Sequence, residues 1–292
     1  MRHFSAGITL LMCFWALAAS AAESGIVFAV WHKPKQHLGT GENSGGFEVM
    51  IDPIAYVING RLVQLGDERY ESSFSTRYYL DNHRYAVFSA GRAVGSLKVG
   101  SLDDMWQCTS VPAIATYPPA TRDEDSRDAL ASDIDLQPTE FRRRVPSADE
   151  ERKMKAMARN LYRANGVSDA SPIDISNIGV FADRTRMLVA ASFRAEYPSA
   201  DGDNEPPGVQ AGFIIAEGRS ATDLAPAMTW FHSGEDASVQ SQTLVDIINL
   251  DGDDYPELVA TIGYYETADY VIYRKSQTTW QMVYNEPASN CF

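Results

Sequence analysis

Apolar and polar positions along this chain alternate mostly with a period of two. Short apolar runs at 26–31, 48–51 and 54–58 open the pattern, with Pro53 between the second and third. Successive side chains of a strand point to opposite faces, so this period marks half-buried β-structure. Asn59-Gly60 lies between Tyr56-Val57-Ile58 and Leu62-Val63. Both turn residues tolerate positive φ, as a tight hairpin turn requires, so the pair predicts a hairpin. Residues 33–46 predict a glycine-rich loop, and 78–80 and 85–89 predict strands around a turn at Asp81-Asn82-His83. Residues 24–115 thus read as β throughout, in a small barrel or sandwich.

The pattern then changes twice. Residues 117–146 hold Pro118-Pro119, clustered charges and Arg142-Arg143-Arg144, with no sustained apolar period, and predict an exposed connector. Ser147-Ala148-Asp149-Glu150 fits a capping box, in which a serine oxygen and a glutamate each take a free backbone amide. Met154, Met157, Ala158, Leu161 and Tyr162 follow at helical spacing, and Asn165-Gly166 ends the helix. Its apolar stripe reads as core, the alternative being an adaptable groove for a partner. Two sets of four strands come next, near 175–181, 187–195, 209–217 and 228–232, then near 243–248, 258–265, 270–275 and 280–284. Leu188-Val189-Ala190 is echoed by Leu258-Val259-Ala260, and Trp230 by Trp280, which suggests a duplicated antiparallel unit. The alternative is chance similarity of two strand-rich segments.

The expected fold is mainly β (α+β): a small N-terminal β barrel or sandwich and a C-terminal antiparallel sheet with one packed helix. The expected domains are a signal peptide at 1–22, a β lobe at 23–116, a linker at 117–146 and an α+β lobe at 147–292. Two strand sets are too few for a complete propeller.

Composition narrows the function classes. The 292 residues are 45% hydrophobic, enough for a sizeable core. The net charge of −14 opposes contact with nucleic-acid phosphates and anionic lipid, so neither is an expected partner. Arg2 and His3, an apolar run over 8–19 and Ala19-Ser20-Ala21 have the order of a secretory leader. That run is too short for a membrane span, and no later stretch approaches twenty apolar residues. The expected location is bacterial, periplasmic or secreted. Beyond Cys13 in the leader, Cys108 and Cys291 remain. An even count in an oxidising compartment predicts one disulfide, and the alternative is two buried thiols.

One stretch carries chemistry. Between the apolar runs 243–248 and 258–262, oxygen ligands alternate at Asn249, Asp251 and Asp253, followed by Glu257, with Gly252 inside the loop. Such spacing folds side chains inward around a hard cation such as Ca2+. The stretch resembles the calcium loop of the FG-GAP (integrin-propeller-like) repeat. The resemblance covers about the last fifty residues. It implies side-chain ligation by Asn249, Asp251, Asp253 and Glu257, and backbone ligation by the Tyr255 carbonyl. Asn249 stands where the family has aspartate and Asp254 where it has glycine, which implies weaker binding. An EF-hand is excluded: Ala260 occupies the position that needs glutamate, and strands flank the loop. The remaining alternative is a solvated acidic turn without an ion.

Other candidates are weaker. The glycines of 39–46 lack the following helix and Lys-Ser/Thr of a phosphate loop. His32 and His37 lack helical pairing, and the acidic loop 201–207 runs into two prolines. His232 with Glu235 and Asp236 has the residue types of a general-base cluster. Two aromatic groups, Tyr70, Phe74, Tyr78, Tyr79, Tyr85, Phe88 and Tyr264, Tyr265, Tyr270, Tyr273, Trp280, Tyr284, offer rings to a glycan or protein partner. The functional expectation is an exported calcium-binding, non-catalytic binding or interaction module. The alternatives are a hydrolase of envelope or extracellular polymers using paired carboxylates, and a structural scaffold without a small ligand.

Overall fold

The computed structural model describes residues 24–36, 43–80, 83–99, 111–115, 129–167, 172–197, 208–235, 239–253, 255–264 and 267–287. The first sheet holds β1 (Ser24–Gln36), β2 (Asn43–Ile58), β3 (Arg61–Val63), β4 (Arg84–Ser89), β5 (Arg92–Val99), β6 (Val111–Ala115) and β7 (Ala129–Ser132). Its order is β1-β7-β4-β5-β6-β2-β3, and β1 also pairs with β2, so the sheet curls around its own core. A 3-10 turn at Gly66–Tyr70 and a short helix α1 (Ser72–Tyr78) close one side of that core.

The second sheet, in the order β12-β11-β10-β9-β8, holds β8 (Arg142–Arg144), β9 (Asp174–Ala182), β10 (Met187–Tyr197), β11 (Gly208–Gly218) and β12 (Ala225–Glu235). The third is a plain meander of β13 (Ser241–Ile248), β14 (Glu257–Gly263), β15 (Ala268–Ser276) and β16 (Thr279–Pro287). The chain is therefore mainly β, with antiparallel pairing and no complete propeller, as its pattern predicts. No described helix is long and apolar enough to cross a membrane.

The third sheet is the middle layer. Val245, Ile248, Val259, Ile272 and Tyr284 face Val27, Ile54, Phe88 and Leu130 of the first sheet. Leu244, Ile247, Leu258, Ala260 and Tyr273 face Phe181, Leu188, Phe213 and Ile215 of the second. Helix α2 (Ala148–Ala164) covers the far side of the second sheet with Met154, Met157 and Tyr162, so its methionine stripe is core. Asp246, fully buried on β13, ties the layers together: its carboxylate accepts the Ala90 N–H at 2.9 and 3.1 Å and lies 3.8 Å from Arg143 Nη1.

Local chemistry accounts for several elements. Asn59 and Gly60 have φ of 55° and 71°, the positive values of the hairpin turn that their pairing predicts. The Glu150 N–H donates to Ser147 Oγ at 3.3 Å, and the Ser147 N–H donates to Glu150 Oε2 at 2.8 Å, so the capping box forms. Arg144 also grips Glu150 with two guanidinium nitrogens. These bonds, chiefly those from Arg144, hold the Glu150 carboxyl down to about 2. The folded chain therefore keeps Glu150 ionised where the unfolded chain takes up a proton. Its contribution is complete above the ordinary glutamate range and is lost as pH falls toward about 2. Glu150→Gln is expected to flatten the acid limb of stability against pH, measured by urea unfolding below pH 5. An unchanged acid limb would remove Glu150 from this role.

Four sequence expectations need correction. The run at 54–58 and that at 48–51 belong to one strand, β2. It passes Pro53 at a register shift, Val27 pairing Ala55 and Phe28 pairing Pro53, which leaves Ile54 as the extra residue. A bulge is where a strand tolerates proline. Of the loop expected at 33–46, residues 33–36 and 43–46 belong to β1 and β2, with Lys33 opposite Glu48 and Gln36 opposite Asn43, and 37–42 lie outside the described residues. Residues 72–78 are helical, because Phe74 and Tyr78 lie four apart and bury one face against Tyr79 and Tyr85. The connector expected at 117–146 is wrong over its second half. β7 lies between β1 and β4, with Leu130 and Ala131 fully buried, and β8 edges the second sheet. The first half of the connector, the leader, Cys108 and Cys291 lie outside the described residues.

Candidate functional site at the acidic loop

The loop between β13 and β14 is ordered by its own side chains. Asn249 Oδ1 accepts the Gly252 N–H at 2.8 Å, Asp251 Oδ1 that of Asp253 at 3.2 Å, and Asp253 Oδ1 that of Tyr255 at 2.6 Å. These are successive Asx-type turns, the local use of short acid and amide side chains. Asn249 Nδ2 adds a bond to the Asp253 carbonyl at 2.9 Å, and Gly252 takes φ of 77°.

Glu257, at the start of β14, is fully buried. One oxygen, Oε2, accepts the Leu250 N–H at 2.9 Å. The other, Oε1, accepts Arg274 Nε at 2.7 Å from the neighbouring strand β15. The same Nε lies 3.3 Å from Asp251 Oδ2. A guanidinium thus bridges two of the expected ligands. Burial pushes the Glu257 carboxyl up, and the Leu250 N–H and Arg274 pull it back only in part. Among the described residues, no three His, Cys, Asp or Glu side chains are grouped to hold a metal ion. Asp254 lies outside the described residues.

Tyr255 acts through its side chain. Its hydroxyl donates to Glu217 Oε1 at 3.0 Å on β11, and burial raises the phenol well above its ordinary value. Lys275 Nζ stands 4.2 Å from the ring centroid and the Arg186 guanidinium 5.2 Å, both within cation–π range. Glu217 also accepts Trp280 Nε1 at 2.7 Å and Lys275 Nζ at 2.6 Å. The loop is therefore pinned to the second sheet by Tyr255 and to the third by Arg274. Sequence reasoning missed Arg274, Glu217 and Lys275. Their cross-strand placement was not written in the loop, although Trp280 stood out as an echo of Trp230.

A cleft of about 380 Å³ opens beside the loop, toward the first sheet. Polar lining comes from Asn59, Asp135 and Asn249, with Gly60 beside them, and apolar lining from Leu136 and Leu250. A Cβ on Gly60 would stand 3.4 Å from Asp251 Cα, so the hairpin turn approaches the acidic loop closely.

The other candidates are dispersed. His232 stacks on Trp230 with an 11° interplanar angle, and its Nδ1 accepts the Gln240 N–H at 3.3 Å. The side chains of Glu235, Asp236, His32 and His37, and the loop 201–207, lie outside the described residues. Of the two aromatic groups, Phe74, Tyr78, Tyr79, Tyr85, Phe88, Tyr270, Tyr273, Trp280 and Tyr284 are buried. Tyr70 and Tyr264 are exposed, and Tyr265 lies outside the described residues. Comparison with protein-family models, curated proteins and solved structures finds no match.

Proposed function

We propose that this chain is an exported, non-catalytic binding or interaction module, with the acidic loop as a strut between its sheets. The observation that carries the reading is the commitment of the loop's oxygens. Asn249, Asp251, Asp253 and Glu257 each hold a backbone N–H of the loop, and Arg274 bridges Asp251 and Glu257. A general acid or base must reach the proton it moves, whereas Glu257 is fully buried with both oxygens engaged. The adjoining cleft, with both polar and apolar lining, supports a small-molecule or partner site. Hydrolysis of a bacterial envelope polymer that Asp251→Asn abolishes would overturn the non-catalytic reading.

Calcium at this loop is the second reading. It is favoured by the order Asn249, Asp251, Asp253 and by the turns that place their oxygens along one loop. In it the FG-GAP-like set, with Glu257 and the Tyr255 carbonyl, surrounds the ion and Arg274 gives way. Melting curves in millimolar calcium and in chelator separate the readings. With Arg274 as the loop's cation, the unaltered chain ignores both. Arg274→Gln then gains calcium-dependent stability, about 1.4 kcal/mol at ten times the dissociation constant. A calcium-dependent rise in the unaltered chain, lost in Asp253→Ala, would replace the arginine with the ion.

A further inference from the structure

A second cleft, of about 290 Å³, lies on the other side of the β2–β3 hairpin, away from the acidic loop. Its aromatic wall is Tyr56 and Tyr78, whose ring centroids are 5.6 Å apart. Ile58 and Val63 also line it, and they are 43% and 40% exposed. Two charged side chains of opposite sign share the cleft: Glu68 from the 3-10 turn and Arg77 from α1. Both residues are exposed. Glu68 Oε2 accepts one long bond, 3.3 Å from the Tyr56 hydroxyl. The Arg77 guanidinium stands 5.0 Å from the Tyr78 ring centroid. Among the described residues neither Glu68 nor Arg77 forms an ion pair, with each other or with a third group.

An acid and a base that form no ion pair among the described residues, beside one apolar cleft, make an arrangement that a single ligand can complete. We infer that this cleft binds a small zwitterion with an apolar side chain, an apolar α-amino acid or dipeptide. The ligand ammonium meets Glu68, and its carboxylate meets the planar fork of Arg77, which suits a carboxylate through two parallel bonds. The apolar side chain lies against Ile58 and Val63. Tyr56 and Tyr78 supply flat, stiff contact area at small entropic cost. Both phenols are neutral at physiological pH, and burial raises them further; the Tyr56 hydroxyl already donates to Glu68. The cleft is near the lower end of the size range of ligand pockets, which fits a ligand of this size rather than a polymer. A neutral zwitterion also escapes the repulsion that a chain of net charge −14 exerts on anions.

The test is isothermal titration of the full chain with L-phenylalanine, L-leucine and the dipeptide Leu-Leu. N-acetyl-phenylalanine amide, which lacks both charges, and glucose serve as comparisons. Binding is expected for at least one of the three zwitterions, and none for the capped amide or for glucose. Arg77→Gln and Glu68→Gln are each expected to weaken that binding at least tenfold. Their melting temperatures should stay within about a degree of the unaltered chain, because both residues are exposed and, among the described residues, without ion-pair partners. Absence of heat with all three zwitterions at millimolar concentration overturns the inference. So does binding that survives both substitutions, or equal binding of the capped amide or of glucose.

Discussion

Glu286→Ala is expected to lower the unfolding free energy by about 3–5 kcal/mol, the usual cost of breaking a buried ion pair from one side. Glu286 Oε1 lies 2.9 Å from Arg69 Nη2, with side chains only 2% and 4% exposed. The same oxygen accepts the Gly66 N–H at 3.0 Å, and Arg69 Nη1 donates to the Pro287 carbonyl. Gln64 Nε2 donates to the Asn285 carbonyl at 2.8 Å, and the Tyr284 hydroxyl to that of Ile54 at 2.8 Å. These bonds clasp the end of β16 to the first sheet. Removing the carboxylate leaves a buried guanidinium without its counter-charge. An apolar pair behaves differently, because two charges no longer have to be desolvated. The double variant Arg69→Met/Glu286→Leu should therefore recover most of the loss, and urea unfolding of the full double-mutant cycle reads it. A cost below about 1 kcal/mol for each single substitution would place the clasp among ordinary surface pairs.

The second large effect belongs to Glu257. Glu257→Ala removes the acceptor of the Leu250 N–H and the partner of Arg274 in a fully buried position. The expected loss is again about 3–5 kcal/mol. Glu257→Gln keeps an acceptor for Leu250 and avoids burying a charge, so it should cost less. Its pH behaviour has the opposite sign to that of Glu150. Burial raises the folded carboxyl of Glu257, so the folded chain holds its proton to higher pH than the unfolded chain does. Stability is then lost as pH rises through the ordinary glutamate value toward the raised one. Glu257→Gln should remove that descending limb. Equal costs for the Ala and Gln variants, with unchanged pH dependence, would mean that Glu257 acts through its volume alone.

The acidic loop was legible as a turn of inward-facing oxygens, and Asn249, Asp251 and Asp253 do hold successive loop amides. Its counter-charge was not. Arg274 reaches Asp251 and Glu257 because β14 and β15 lie side by side, with Leu258 opposite Tyr273. Tyr255 was legible only through its carbonyl, whereas its hydroxyl donates to Glu217 on β11 and its ring meets Lys275 on β15. A family resemblance names the positions of a loop. It carries nothing about which side chains from other strands converge on it.

The same division runs through the fold. The Asn59-Gly60 turn, the Ser147–Glu150 capping box and the strands of the second half are set by residues within a few positions of each other. Short-range sterics and hydrogen bonding decide them, so the sequence by itself determined them. The runs at 243–248 and 258–262 were legible as strands, but their burial on both faces was not. What they could not name was the layers on either side. β7 shows the limit. Ala129-Leu130-Ala131-Ser132 is too short and too small in side chain to display a period, yet it lies between β1 and β4 with all four residues buried. Its partners sit about a hundred residues earlier and some forty earlier in the chain, at Val27 to Val30 and Ala86 to Phe88. Only the tertiary structure brings those backbone donors and acceptors together, because ladder hydrogen bonds depend on proximity in space and leave no mark in the local sequence.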